Sequence, residues 1–154
     1  MISLGEFGTF VDCLETTVGK KVSKSIGIKS SYDRDGKLLA IIVYALKDLR
    51  NAVAHNNTVF DARFKTGKVN TRIAKYISAE TGIGNVTFES IVDYVILISF
   101  MMKLLECPKK KIIAFVRMFE KSCEELRGKV STSIFNTIVY TDTRSKLNLL
   151  KKYI

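Results

Sequence analysis

Lys37-Leu38-Leu39-Ala40-Ile41-Ile42-Val43-Tyr44-Ala45-Leu46-Lys47-Asp48-Leu49-Arg50-Asn51-Ala52-Val53-Ala54-His55 carries the strongest structural signal in the sequence. Leu39, Ile42, Val43, Leu46, Leu49 and Val53 recur at helical spacing and fall on one stripe, the clearest period in the chain. The pattern predicts a central, buried helix over about 37–55. The run Asn56-Asn57-Thr58 that follows is poor in helix formers and rich in side chains that bond the backbone locally, so the helix stops or bends there. That leaves His55, the only histidine of 154 residues, near a helix C-terminus.

The same reading extends in both directions. Ser3-Leu4-Gly5-Glu6 fits a capping box, predicting a first helix from about Leu4 to Ser25 that Gly5, Gly8 and Gly19 weaken. Residues 27–36 collect Gly, Ser, Asp and Lys and read as a loop. Beyond His55, residues 56–69 read as a loop, and a short helix is expected over about Asn70–Ser78. Gly82-Ile83-Gly84-Asn85 breaks the chain again, and Thr87 is placed to cap a helix over Phe88–Glu106 whose near-continuous apolar run implies wrapping on several sides. Pro108, the single proline, punctuates the start of the next helix, which ends near Gly128. A last helical stretch is expected over about Ser131–Tyr153. No stretch shows sustained period-2 alternation and no internal repeat is visible, so the fold class is all-α, a bundle of five to six helices in one domain over residues 1–154.

Composition narrows the partners. The formal net charge is +10 from 25 Lys+Arg and 15 Asp+Glu, and 11 of the basic but only four of the acidic residues lie from Lys109 onward. A basic surface concentrates polyanions such as RNA, although charge alone does not choose among nucleic acid, an anionic lipid face, an acidic protein and a merely solvated surface. Cys13, Cys107 and Cys123 are scattered, with no CxxC or Cys/His ligand spacing, which argues against a disulfide framework and a zinc site. No metal and no cofactor are expected. The apolar run Ile91–Leu105 is interrupted by Asp93 and Lys103 and falls short of the ~20 residues that span a bilayer, so a core helix is expected there and no membrane. With no charged-then-apolar signal at the start, the expected compartment is the cytoplasm. No catalytic Ser/His/Asp arrangement, Walker loop or Rossmann fingerprint is present.

The chemistry concentrates at Arg50 and His55. An imidazole exchanges protons near neutral pH, while a guanidinium stays charged and stabilises negative charge. On a helical wheel Arg50 falls on the apolar side with Val43 and Leu46, whereas Tyr44, Asp48, Asn51 and His55 share a polar face. A structural alternative is a buried arginine paired with a carboxylate such as Asp48, with His55 serving only as a helix end.

The string Leu49-Arg50-Asn51-Ala52-Val53-Ala54-His55-Asn56, followed by Val59-Phe60 and Arg63-Phe64, resembles the RNxxxxH signature of the HEPN superfamily, specifically its Abi-like abortive-infection family of bacteria. Ser3-Leu4-Gly5-Glu6-Phe7-Gly8-Thr9-Phe10 resembles the family's segment leading into that motif, and the match covers roughly residues 1–110. The chain starts without the longer N-terminal helical region of those relatives, and Thr58 stands where they often carry Arg or another polar residue. The resemblance implies a HEPN-like helical domain with metal-independent endoribonuclease activity in a phage-defence or toxin–antitoxin system. It assigns catalysis to Arg50, Asn51 and His55, with His55 as base or acid, Arg50 stabilising phosphorane charge and Asn51 orienting the imidazole or the phosphate. One histidine does not readily serve as both base and acid in one step, so a homodimer that brings two motifs together is expected.

Tyr44, Phe60 and Phe64 are candidates for stacking on RNA bases, Arg63 is a further RNA-binding candidate, and Lys65, Lys68 and Arg72 lie close enough in sequence to contribute phosphate contacts. For Phe60 and Phe64 the plainer alternative is that they anchor the loop on the core. Two other readings stay open at this point: a non-catalytic helical module that binds RNA or an antitoxin protein or RNA, and a dimerisation domain in which the motif is a structural polar network.

Overall fold

The computed structural model describes residues 2–59 and 69–154. Among them the chain is all-helical: α1 (Leu4–Asp12), α2 (Thr16–Ser25), α3 (Leu38–Ala54), α4 (Thr71–Thr81), α5 (Ile91–Leu104), α6 (Lys109–Arg127), α7 (Thr132–Ile138) and α8 (Thr143–Tyr153). None of the described helices is long and apolar enough to cross a membrane. The apolar run of α5 is instead the centre of the bundle, packed against α3, α4, α6 and α8. Val92, Ile96, Leu97 and Phe100 of α5 are fully buried with Leu38 and Ile42 of α3, Ile73, Tyr76 and Ile77 of α4, Val116 of α6 and Leu150 of α8. Tyr76 meets Phe100 edge-on at 5.3 Å between ring centroids, a favoured aromatic geometry.

α3 spans nearly the stretch predicted for it, and the capping box at Ser3 and Glu6 is present, with each side chain bonded to the other residue's backbone N–H. Three expectations need correction. The first helix is two, because the chain bends at Cys13–Glu15, and α1 then lies along α3. α2 meets the end of the 27–36 loop through Gly19, where a Cβ would lie 2.5 Å from the Gly36 carbonyl oxygen. Gly19 therefore serves a backbone-to-backbone approach that no side chain would allow. The last helical stretch is likewise divided, with Val139 extended between α7 and α8.

The third correction concerns the start of α5. Thr87 does not cap a helix at Phe88, since Phe88 takes φ +60° and the helix begins at Ile91. Asp93, in the first turn and fully buried, satisfies this region: its Oδ2 accepts from the backbone N–H groups of Thr87 and Phe88, both at 2.9 Å. Its Oδ1 accepts from Lys146 Nζ of α8 at 2.9 Å. That ammonium also donates to the Asn85 carbonyl at 2.8 Å and pairs with Asp142 at 3.0 Å. The charges that interrupt the apolar sequence thus pin α8 and the 82–90 segment to the core helix.

A second ionic link fastens the 27–36 loop. Arg72, at the start of α4, makes a fork-to-fork contact with Asp35, Nη1 to Oδ2 at 2.8 Å and Nη2 to Oδ1 at 2.7 Å. Beside it the buried Asp33 accepts from the Leu38 N–H at 2.9 Å and so satisfies the start of α3. The guanidinium holds the Asp35 carboxyl down to about 2. A folded-state value below the ordinary one means that this stabilisation is complete above about pH 4 and disappears as pH falls toward 2. Asp35→Asn is expected to cost about 0.5–1 kcal/mol at pH 7, the pair being partly exposed, and the cost should shrink below pH 4 and vanish only as pH falls through about 2. Thermal melts of both proteins across that range check it.

Candidate functional site

Arg50, Asn51 and His55 occupy the last turn of α3, and the way that helix ends sets their display. His55 is the C-cap residue, its N–H donating to the Asn51 carbonyl at 2.9 Å. Asn56 follows at φ +53° and donates to Val53 O at 3.1 Å, while Asn57 N–H reaches back to Ala52 O at 2.8 Å. This is a Schellman closure, and asparagine is the residue that tolerates left-handed backbone best after glycine. The asparagine after the histidine therefore has a structural role, turning the chain sharply away and leaving the imidazole exposed.

Arg50 is exposed as well, and its Nη1 donates to Asn51 Oδ1 at 3.0 Å. Asn51 thus touches both partners, through its side chain to Arg50 and through its backbone carbonyl to His55. The side-chain contact goes to the guanidinium rather than to the imidazole. The buried arginine–carboxylate alternative does not describe this residue, because Asp48 pairs with Lys47 at 3.2 Å and Arg50 stands at the surface.

Around Arg50 the apolar stripe of α3 runs out onto the surface. Val53, expected in the core, is 62% exposed. Arg50 and Val53 border an open hollow of about 470 Å³ with Leu46, Leu49 and Ala54, closed by Leu4 of α1 and Ile98 of α5. A second hollow of about 220 Å³ shares Leu49, Val53 and Ile98 and continues to Phe115, Met118 and Phe119 of α6. Met118 is also 62% exposed. The motif therefore stands at the edge of one apolar surface reaching from α1 across α3 and α5 to α6. Sequence reading missed this surface; its one available signal was Met118, which sits roughly 100° around the helix from the stripe of Ile112, Phe115, Val116 and Phe119.

The other candidate residues part company with the motif. Tyr44 lies three turns back along α3, about 16 Å from His55 measured along the helix axis. Its ring packs on α1 at Gly8, where a Cβ would lie 3.0 Å from Tyr44 Cε1, and Lys47 Nζ sits 5.5 Å from the ring centroid. Phe60, Arg63, Phe64 and Lys65, with Lys68, lie outside the described residues. Arg72, a candidate phosphate contact, is engaged by Asp35 and holds the loop. Comparison with protein-family models, with curated proteins and with solved structures finds no match for this chain.

Proposed function

We propose that this chain is a HEPN-like, Abi-type endoribonuclease that cuts RNA without a metal, working as a homodimer in a bacterial phage-defence or toxin–antitoxin system. The observation that carries the reading is the turn of Arg50, Asn51 and His55, with Arg50 and His55 exposed, at the rim of an apolar surface left open among the described residues. In RNA each phosphate has a neighbouring 2′-hydroxyl. Removal of its proton by an imidazole turns that oxygen into an internal nucleophile, whose attack on phosphorus expels the 5′-oxygen. The leaving oxygen takes a proton, and the products are a 2′,3′-cyclic phosphate and a 5′-hydroxyl. Arg50, steadied by Asn51, stabilises the charge that builds on the non-bridging oxygens.

Each chain has one imidazole, and the reaction needs both a proton acceptor and a proton donor. Two copies associated through the Val53–Ile98–Met118 surface would set two such turns beside each other and remove that apolar area from water. The net charge of +10 favours a polyanionic substrate, and an antitoxin protein or RNA that covers the turn would silence it.

Sedimentation equilibrium with a parallel cleavage assay tests the dimer. Met118→Glu, at an exposed position on α6, is expected to weaken self-association at least about tenfold by burying a charge in the interface, and to lower cleavage with it. A monodisperse monomer that cuts RNA at full rate would overturn the paired site.

A further inference from the structure

We infer that the corner where α5 turns into α6 docks on an anionic lipid surface, with Leu105 entering the headgroup layer and Lys109, Lys110 and Lys111 meeting its phosphates. α5 closes as α3 does: Glu106 takes φ +56°, and the Cys107 N–H reaches back to Met102 O at 2.9 Å. A glutamate held in left-handed backbone costs stability that a glycine there would not. The turn leaves Leu105 at the corner, 59% exposed. Leu105 lies about 10 Å along α5 beyond Ile98, and so beyond the surface assigned above to pairing. Val53 meets α5 over residues 91–98, which puts this corner at the other end of that helix from the Arg50–His55 turn.

The charge beside Leu105 also runs against local preference. Lys109, Lys110 and Lys111 fill the first turn of α6, which holds no acidic residue, although the positive end of a helix disfavours cations. All three are exposed, and none forms an ion pair among the described residues. The carboxylates that follow are engaged elsewhere: Glu120 with Lys151, Glu124 with Arg127, Glu125 with Lys121 and Asp142 with Lys146. Lys103, at the end of α5, adds a fourth cation, its ammonium donating to the Tyr153 carbonyl. A left-handed glutamate and a cationic helix start at one corner are the kind of local conflict that marks a surface kept for binding. An exposed aliphatic side chain beside lysines suits lipid better than RNA. The lysine stem lies along apolar surface while its ammonium stays at the phosphates, and residues 103–111 hold no arginine and no aromatic ring to stack on a base. No described helix is long and apolar enough to cross a membrane, so the contact is peripheral.

Flotation of the full chain with vesicles of phosphatidylserine and phosphatidylcholine in equal parts, against vesicles of phosphatidylcholine alone, tests this. Binding is expected to the anionic vesicles only, falling steeply with added salt. Lys109→Ala, Lys110→Ala and Lys111→Ala together should weaken it about a hundredfold, each lysine near such a surface being worth about fivefold. Leu105→Ser should weaken it about tenfold through the lost apolar contact. All four side chains are exposed, so melting is the control for folding: it should hold in the Leu105 variant and hold or rise once the lysines leave the helix start. His55→Ala should float as the parent does, so this surface and the RNA-cutting turn stand or fall separately. No binding to anionic vesicles, equal binding to both kinds, or parental binding in either variant would overturn the proposal. Loss of RNA affinity in the triple-lysine variant without vesicle binding by the parent would also overturn it, and would assign the lysines to RNA.

Discussion

Lys146→Ala is expected to destabilise the protein by about 3–5 kcal/mol, a large share of the roughly 5–15 kcal/mol by which domains of this size are held. The lysine is 5% exposed and Asp93 is fully buried, so the substitution strands a carboxylate out of reach of water. It also removes the donor to the Asn85 carbonyl and thereby loosens the 82–90 segment. Asp93→Ala should be at least as damaging, because it orphans the Thr87 and Phe88 N–H groups together with the lysine. Urea unfolding of the parent and both variants measures this; a loss below about 1 kcal/mol would mean that the pair gains nothing net from its burial.

His55→Ala and Arg50→Ala are expected to lower RNA cleavage by about 10²–10⁴-fold and 10²–10³-fold, the ranges for losing a general acid–base and a charge-stabilising group. Both side chains are exposed and neither belongs to the core, so melting should change little. Asn51→Ala should fall between these and the parent, because it leaves the guanidinium in place without the amide that steadies it. Initial rates on a labelled RNA, with circular dichroism melts as control, decide the matter. Cleavage that persists in both Arg50 and His55 variants removes the assignment.

What could be read in advance follows from the range of the interaction involved. The limits of α3, the Ser3–Glu6 box and the proline before α6 depend on neighbours within one or two turns, and each is found. The bends at Cys13–Glu15 and Val139–Asp142 carry no glycine or proline, so no local breaker announced them. Asp93 was legible only as a break in an apolar run, because its partner lies 53 residues away. Arg72 looked like an available cation until a carboxylate 37 residues earlier claimed it.

The candidate site divides along the same line. The Arg50–His55 spacing and the stop after His55 were visible in the sequence, since a helix end is a local event. The exposure of Val53 was not, because a helical stripe marks which side is apolar without fixing how far along its length other elements cover it.

Incubation of a labelled single-stranded RNA with the protein in EDTA bears straight on metal-free cleavage. Fragments ending in 2′,3′-cyclic phosphate and beginning with 5′-hydroxyl are expected, produced by the parent and lost in His55→Ala. Intact RNA under conditions where the protein binds it tightly would contradict cleavage and identify the chain as a binding module.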